Sequence, residues 1–339
     1  MPTEVEGAFL SHSDPLGEWD GFVERAPQGA VFCRSSWLHA VAPGGFEILV
    51  LRRSGAIVAG LPLVTTRRWG FHFIHMPKLT QTLGPVIAPS ASESREGRLS
   101  HEMALLESLV GALPHADYVT VNLDPRCANW LPFHWAGFRQ TSLCTYVLPD
   151  LADLDAVFSG FAHMKRKNVK RAQKVVEVRE DLDAAQFHAF HSSTLAQRGR
   201  TISYRLDLLR RIMASGREGD GRKTWYAVDA AGHMHAAIVV VWDPKSAYYL
   251  LSAIDPRYVN SGASTLLVWH AIRHVAGHTR EFNFEGSMVR GVEHSFRKFG
   301  AVQVPYSQVS RVPSWLAGQA VAWRRRLRRR RSAMDREVD

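Results

Sequence analysis

The residues best suited to chemistry lie in the second half of the chain. Arg257-Tyr258-Val259-Asn260-Ser261-Gly262-Ala263 joins a strand-like run, Ala247–Ala253, to a helical one, Ser264–Ala276. Asn, Ser and Gly ahead of a helix leave backbone N–H groups free, and with the helix dipole these suit phosphate oxygens. An ordinary helix cap needs the same residues, so both readings stand. Glu285 follows Phe282-Asn283-Phe284 and precedes Gly286. A carboxylate at a strand end, partly buried among aromatics, gains a raised pKa and can act as a general base. It can equally cap the turn or pair with an arginine. His294 is a second candidate base, or a plain surface histidine. Tyr249 is a candidate proton donor, or core packing. Arg166, Lys170 and Lys174 fall on one face of a helix at i, i+4, i+8, with Lys167 and Arg171 beside them. Like charges at that spacing repel unless an anion such as a phosphate or RNA backbone answers them; a solvated face is the alternative.

The elements that must hold these residues can be read from pattern. Trp19–Ala26 and Ser35–Val41 have helical character, and Phe46–Arg52 and Ala56–Thr66 read as strands around a hairpin break at Arg53-Ser54-Gly55. Phe71–Met76 is a further strand. Residues 89–100 read as a loop before the helix His101–Leu113, followed by strands Asp117–Leu123 and Thr145–Leu148. Pro149-Asp150 marks the expected domain boundary. Beyond it come the helices Leu154–Phe161, Lys165–Lys174, Ala184–Gln197 and Leu206–Ala214. Thr224–Asp229, His235–Asp243 and Ala247–Ala253 predict three consecutive antiparallel strands, and Glu281–Phe284, Val292–Phe299 and Val302–Val309 complete the order as strand, helix, strand. The order β–β–β–α–β–α–β belongs to an α+β sheet domain.

Composition bounds the rest. A chain of 339 residues suits two domains of about 150 residues each. Its three cysteines show no CxxC spacing, and its sixteen histidines show no HExxH, so neither a disulfide framework nor a metal site is expected. The opening MPTEVEGAFL lacks an apolar signal region, and no window approaches the roughly 18 apolar residues of a membrane span, so a cytoplasmic location is expected. The net charge of +10 is uneven: from Arg324 on, eight arginines face three acidic residues, leaving +5 for the body. That Arg-rich tail suits an anionic membrane surface or RNA, or simply water.

The turn from Arg257 to Ala263 resembles the pyrophosphate loop of the GNAT superfamily, with Asn260 where glycine is usual. Phe282–Met288 with Glu293–Gly300 looks like the closing strand, loop and helix of Fem peptidyltransferases and CelD-like acetyltransferases. Arg166–Lys174 is similar to their Arg-x-Asn-Ile-x-x-Ala-x-Lys helix, and Ala59–Leu63 and Leu83-Gly84-Pro85 stand at Fem-like positions. Phe296 stands where many Fem proteins have lysine, with Lys298 displaced. The resemblance implies a mixed α/β chain of two GNAT-like domains, 1–149 and 150–312, each a largely antiparallel twisted sheet flanked by helices, then the basic tail 313–339. It implies N-acyl transfer to an amine, with acyl-coenzyme A or aminoacyl-tRNA as co-substrate and no permanently bound cofactor. Arg257, Asn260, Ser261, Gly262 and Ala263 would hold the donor phosphates. Arg166, Asn168, Lys170, Arg171 and Lys174 would meet acceptor or RNA. Glu285 or His294 would be the base, Tyr249 the acid to the leaving group, and N–H groups near Ser252–Ala253 the oxyanion donors. A cell-envelope or exopolysaccharide amine is the acceptor the relatives suggest, with peripheral membrane contact through the tail. The opposing reading is a GNAT-fold protein without catalysis that binds RNA or an anionic membrane.

Overall fold

Two stretches of the chain each close a core of their own in the computed structural model, which describes residues 5–216, 219–286 and 288–312. The chain up to Leu143, joined by the segment from Pro305, forms one unit, and Cys144–Val304 forms the other. The expected boundary at 149/150 therefore moves to 143/144, and the expected 150–312 domain gives up its last strand. The reason is burial: Val309 is fully buried in the core of the first unit and pairs with Val121. The tail 313–339 lies outside the described residues.

The first unit opens with a strand that pattern did not reveal, β1 (Glu6–Ser11), followed by α1 (Gly17–Arg25) and α2 (Ser35–Val41). Strands β2 (Phe46–Arg53) and β3 (Ala56–Arg68) pair antiparallel around Ser54 and Gly55, both at positive φ, as a two-residue hairpin requires. β4 (Phe71–Ile74) pairs with β3, and the short β5 (Val86–Ile87) pairs with it elsewhere. The helix α3 (Arg95–Gly111) starts earlier than its apolar pattern, because the Ser94 hydroxyl accepts the N–H of Gly97 at 2.9 Å and caps it. β6 (Tyr118–Asn122) runs parallel to β4 and antiparallel to the last strand of the chain. The helix α4 (Leu131–Trp135) went unread from sequence. Gly60 of β3 is set by packing: a Cβ there would lie 2.4 Å from the Trp19 ring and 3.1 Å from the Leu49 carbonyl. Trp19 is fixed in turn by its indole N–H, which donates to the Cys33 carbonyl at 2.8 Å.

The second unit begins within β7 (Arg139–Leu148), which starts earlier than expected, and continues through α5 (Leu154–Gly160) and α6 (His163–Ala172). The short strand β8 (Glu177–Glu180) was also unread; α7 (Ala184–Ala196) and α8 (Leu206–Ala214) follow. β9 (Gly221–Val228), β10 (Met234–Trp242) and β11 (Ser246–Ile254) form the expected antiparallel meander. From β11 the chain crosses through α9 (Ala263–Val275) to β12 (Glu281–Asn283), which is parallel to β11 and antiparallel to β7. α10 (Arg290–Phe296) and β13 (Val302–Arg311) complete the chain. Strand order here is β7-β12-β11-β10-β9-β8. β10 is Ala/Ile/Val-rich because both its faces are buried: Ala236, Ile238 and Val240 join the core beneath α9, and Ala237, Val239 and Val241 are equally sealed.

Gly60→Ala is expected to lower stability by about 1–3 kcal/mol through overpacking. A drop in the urea midpoint without change in slope would show it.

Candidate functional site

The parallel pair β11–β12 is short, and that shortness makes a site. Pairing runs through Ser246–Glu281, Ala247–Phe282 and Tyr248–Asn283, and there β12 stops. β11 continues to Ile254 with no β12 residue beside it. From Tyr249 onward β11 has no β12 partner on that side, and its Ile254 carbonyl accepts from Arg198 at 3.3 Å. Beyond Asn283 the chain follows β7 instead: the N–H of Phe284 donates to the Tyr146 carbonyl at 2.9 Å. Gly286 then lies so close to β7 that a Cβ would stand 2.0 Å from the Cys144 carbonyl oxygen and 2.5 Å from the Thr145 Cα. Only glycine, at φ +65°, permits this approach.

Glu285 sits at the fork. Its φ of +58° is a left-handed conformation that a side chain with a Cβ seldom adopts. It is held by Asn283, whose Oδ1 accepts the Glu285 N–H at 2.8 Å and the Thr145 hydroxyl at 2.6 Å. The Glu285 residue is half-buried overall, but Oε1 is sealed from solvent and has no hydrogen-bond partner among the described residues. Burial pushes its carboxyl well above the usual carboxylate range. A strained backbone and an unpaired buried carboxyl both cost stability, a combination characteristic of sites where function sets the geometry.

Tyr249 is nearby in an aromatic cluster, its ring 6.1 Å from Phe284, 6.0 Å from Phe296 and 6.5 Å from Phe282. Burial raises its phenol to about 12, partly offset by a hydrogen bond from Ser252. Phe296, where the resemblance implied a lysine, lies 5.1 Å from Phe284 with its ring tilted and belongs to this cluster. His294 is exposed on α10, and its Nδ1 accepts from Arg297 at 2.7 Å. No contact joins it to Glu285 or Tyr249.

The donor loop departs from expectation in one respect. Residues Pro256–Ser261 form a 3-10 turn, and Gly262, at φ +85°, starts α9. Arg257 already has a partner: its Nε and Nη2 fork onto the buried Asp255, with Nη2 2.7 Å from Oδ2, while its side chain stays 67% exposed. That pairing holds the Asp255 carboxyl below its ordinary range. Asn260 is exposed, and the Ser261 hydroxyl accepts the Ala263 N–H at 3.2 Å. A Cβ at Gly262 would lie 2.5 Å from the Asn168 carbonyl, so α6 rests directly on this turn and on α9.

On α6 the basic residues divide. Arg166 turns back to the Ser159 carbonyl at 2.5 Å and to the Phe161 carbonyl, so it braces the end of α5. Arg171 donates to Asn168 Oδ1 at 2.9 Å. Lys170 and Arg171 on α6, and Lys174 just past it, are exposed. Two groups escaped sequence reasoning. Lys165 shares the i, i+4, i+7 stripe of the buried Val169 and Ala172, which was the signal for it. Its ammonium donates to Ser295 Oγ at 2.9 Å, lies 4.0 Å from the Phe299 ring, and is lowered to about 8 by burial and then by Lys298. The Tyr146 hydroxyl donates to Glu293 at 2.8 Å and accepts from Gln303 at 3.0 Å, and Glu293 raises its pKa. Nothing in the local pattern announced that triad. Among the described residues no group of three or more His, Cys, Asp or Glu could hold a metal, and no helix is long and apolar enough to cross a membrane.

A mostly antiparallel sheet with helices, forked beside a crossover helix, is the GNAT type of fold, and known proteins share it. Residues 161–297 match the family model described as an acetyltransferase (GNAT) domain. In structure the chain is similar to FemX, at 12% identity and TM-score 0.67 over 89% of this chain and 96% of that one. It is also similar to a tandem GNAT protein from the clavulanic acid biosynthesis pathway, at 14% identity and TM-score 0.54 over 91% and 98%. The C-terminal domain of a putative lysylphosphatidylglycerol synthetase from Agrobacterium fabrum matches at 12% and 0.53 over 92% and 95%. No curated protein matches in sequence.

Asn283→Ala strands a buried hydroxyl and a buried N–H, and is expected to destabilise the protein by about 2–4 kcal/mol. Thermal unfolding would read it, with Asn283→Asp as the variant that keeps the acceptor.

Proposed function

We propose that the Cys144–Val304 unit is the catalytic domain of an N-acyltransferase that moves an acyl or aminoacyl group to an amine, with Glu285 as general base. The observation that carries this reading is Glu285 Oε1, sealed from solvent and without a hydrogen-bond partner among the described residues, at the fork where β11 and β12 part. An alkyl ammonium loses its proton about 3 units above neutrality, so the nucleophile needs a base, commonly worth about 10²–10⁴ in rate. The amine nitrogen attacks the donor carbonyl carbon and its proton passes to Glu285. The oxyanion formed meets N–H groups on β11, near Ser252–Ala253, each well-placed donor being worth roughly 3–4 kcal/mol. The intermediate collapses, the bond to the leaving sulfur or oxygen breaks, and that atom takes a proton. Tyr249, protonated at neutral pH, is the acid we assign to it. His294 takes no part in this scheme.

The donor is an acyl-coenzyme A or an aminoacyl-tRNA. Both are polyanions, and the exposed Lys170, Arg171 and Lys174 are the groups we assign to their phosphates, with the first-turn N–H groups of α9. The Fem resemblance and the FemX-like fold support the aminoacyl donor; the matched acetyltransferase model supports the thioester. An envelope or exopolysaccharide amine is the acceptor class this reading carries forward.

Glu285→Gln is expected to cut turnover by at least about 10² while leaving donor binding intact. Thiol release from acetyl-coenzyme A and deacylation of charged tRNA, each with an amine panel, would measure this; full activity in the variant sinks the assignment. The stability effect has the opposite sign. Between the unfolded carboxyl value and its raised folded value, the native state holds one more proton than the unfolded state. The parent therefore loses stability as pH rises through that window, and the glutamine variant does not. The variant should match or exceed the parent's unfolding temperature at pH 8, with that pH-dependent advantage fading below about pH 4.5. In titrations over a salt series, Lys170→Glu with Lys174→Glu should weaken binding of either donor at least about tenfold. Arg257→Ala should change it little, since Asp255 already holds that charge.

A further inference from the structure

The hairpin joining β3 and β4 has a composition that neither its fold nor its core explains. Its register, Arg67↔His72 and Arg68↔Phe71, closes over the two residues Trp69-Gly70. Both stand at positive φ, +53° and +78°, as in a type I′ turn. The first position of such a turn favours Asn, Asp or Gly, and a bulky aromatic there is a conformational cost. Packing does not offset it: Trp69 is 74% exposed. The Arg68 guanidinium lies 4.1 Å from the indole centroid. Behind the tip, Phe71 and Phe73 are half-exposed with rings 6.4 Å apart, and share a strand face with Arg68. β2 leaves β3 at Val64, so Thr65–Arg68 run on without that neighbour. No acidic residue occurs from Thr65 to Met76.

We propose that this hairpin is an interfacial anchor for an anionic phospholipid bilayer, with Trp69 entering the headgroup layer and Arg67 and Arg68 on lipid phosphates. Tryptophan has a large apolar body and one N–H donor, which suits the boundary between acyl chains and water. Arginines beside it keep their stems along apolar surface and their charges at phosphate depth. Even without its tail the chain carries +5, which draws it to an anionic bilayer, and the tip has no Asn, Gln or Ser with which to read a nucleic-acid base. The proposal is independent of the acyl-transfer reading and of the Arg-rich tail.

The test uses the full chain with phosphatidylcholine vesicles, with and without about 30% phosphatidylglycerol, carrying brominated acyl chains that quench inserted tryptophan. The parent protein is expected to show quenching on the anionic vesicles, and Trp69→Asn to lose it. Asparagine suits the turn, so Trp69→Asn should unfold at the same or a higher temperature, which separates lost anchoring from lost folding. Arg67→Glu with Arg68→Glu should weaken binding to the anionic vesicles by at least about tenfold, without effect on the neutral ones. Equal quenching in parent and Trp69→Asn overturns the proposal. So does a Trp69→Asn protein that keeps its vesicle binding and quenching but loses affinity for single-stranded polyuridylate, which would make the tip a base-stacking surface.

Discussion

The contact of Gly286 with β7 is the constraint on which the site depends. A backbone that lies against Cys144 and Thr145 at a distance no Cβ tolerates is committed to β7, and cannot also pair with β11. The fork between β11 and β12 is the direct result. Asn283 makes that commitment stable, because one buried amide oxygen takes both the Thr145 hydroxyl and the Glu285 N–H. Glu285 then inherits a left-handed backbone and a buried side chain from its neighbours on either side. The ordinary demand that buried polar groups be paired is met two residues earlier, at Asn283, and relaxed at Glu285 Oε1.

Elsewhere in the same unit charge is arranged to be neutral. Arg257 is answered by Asp255, Glu180 by Lys223 at 2.5 Å, and Arg166 by two carbonyls. By contrast Lys170 on α6 and Lys174 just past it stand exposed, and Glu285 Oε1 at the fork has no hydrogen-bond partner among the described residues. In the proposed reaction the two divide the work: exposed cations would hold a polyanion through long-range attraction, and the desolvated acid would act only on a group brought into contact.

Much of this was legible in the sequence, for identifiable reasons. The meander from β9 to β11 announces itself through apolar, β-branched runs, and α9 through the Asn-Ser-Gly turn that begins it. Glu285 stands out as an acid between an aromatic strand and a glycine. Its backbone conformation does not, because that is dictated by β7, more than a hundred residues away in the chain. Arg257 looked like a phosphate ligand because its partner, two residues earlier, belongs to the same turn and pattern reading does not pair neighbours. Lys165 was hidden inside a basic helix, where its charge seemed one of many; only the stripe it shares with Val169 and Ala172 sets it apart. The short strands β1 and β8 carry too few residues for alternation to register.

The last strand has a consequence for how the protein is made. β13 supplies the partner of β6, yet its pairing residues, Gln308–Arg311, are among the last of the described chain to leave the ribosome. Until then the first unit has an unpaired edge along Tyr118–Asn122 and lacks Val309 in its core. The second unit, in contrast, has nearly all its strands well before that point. The segment translated first is therefore the one whose core is completed by the last of the described strands, against the N-terminal-first order usual for multidomain chains.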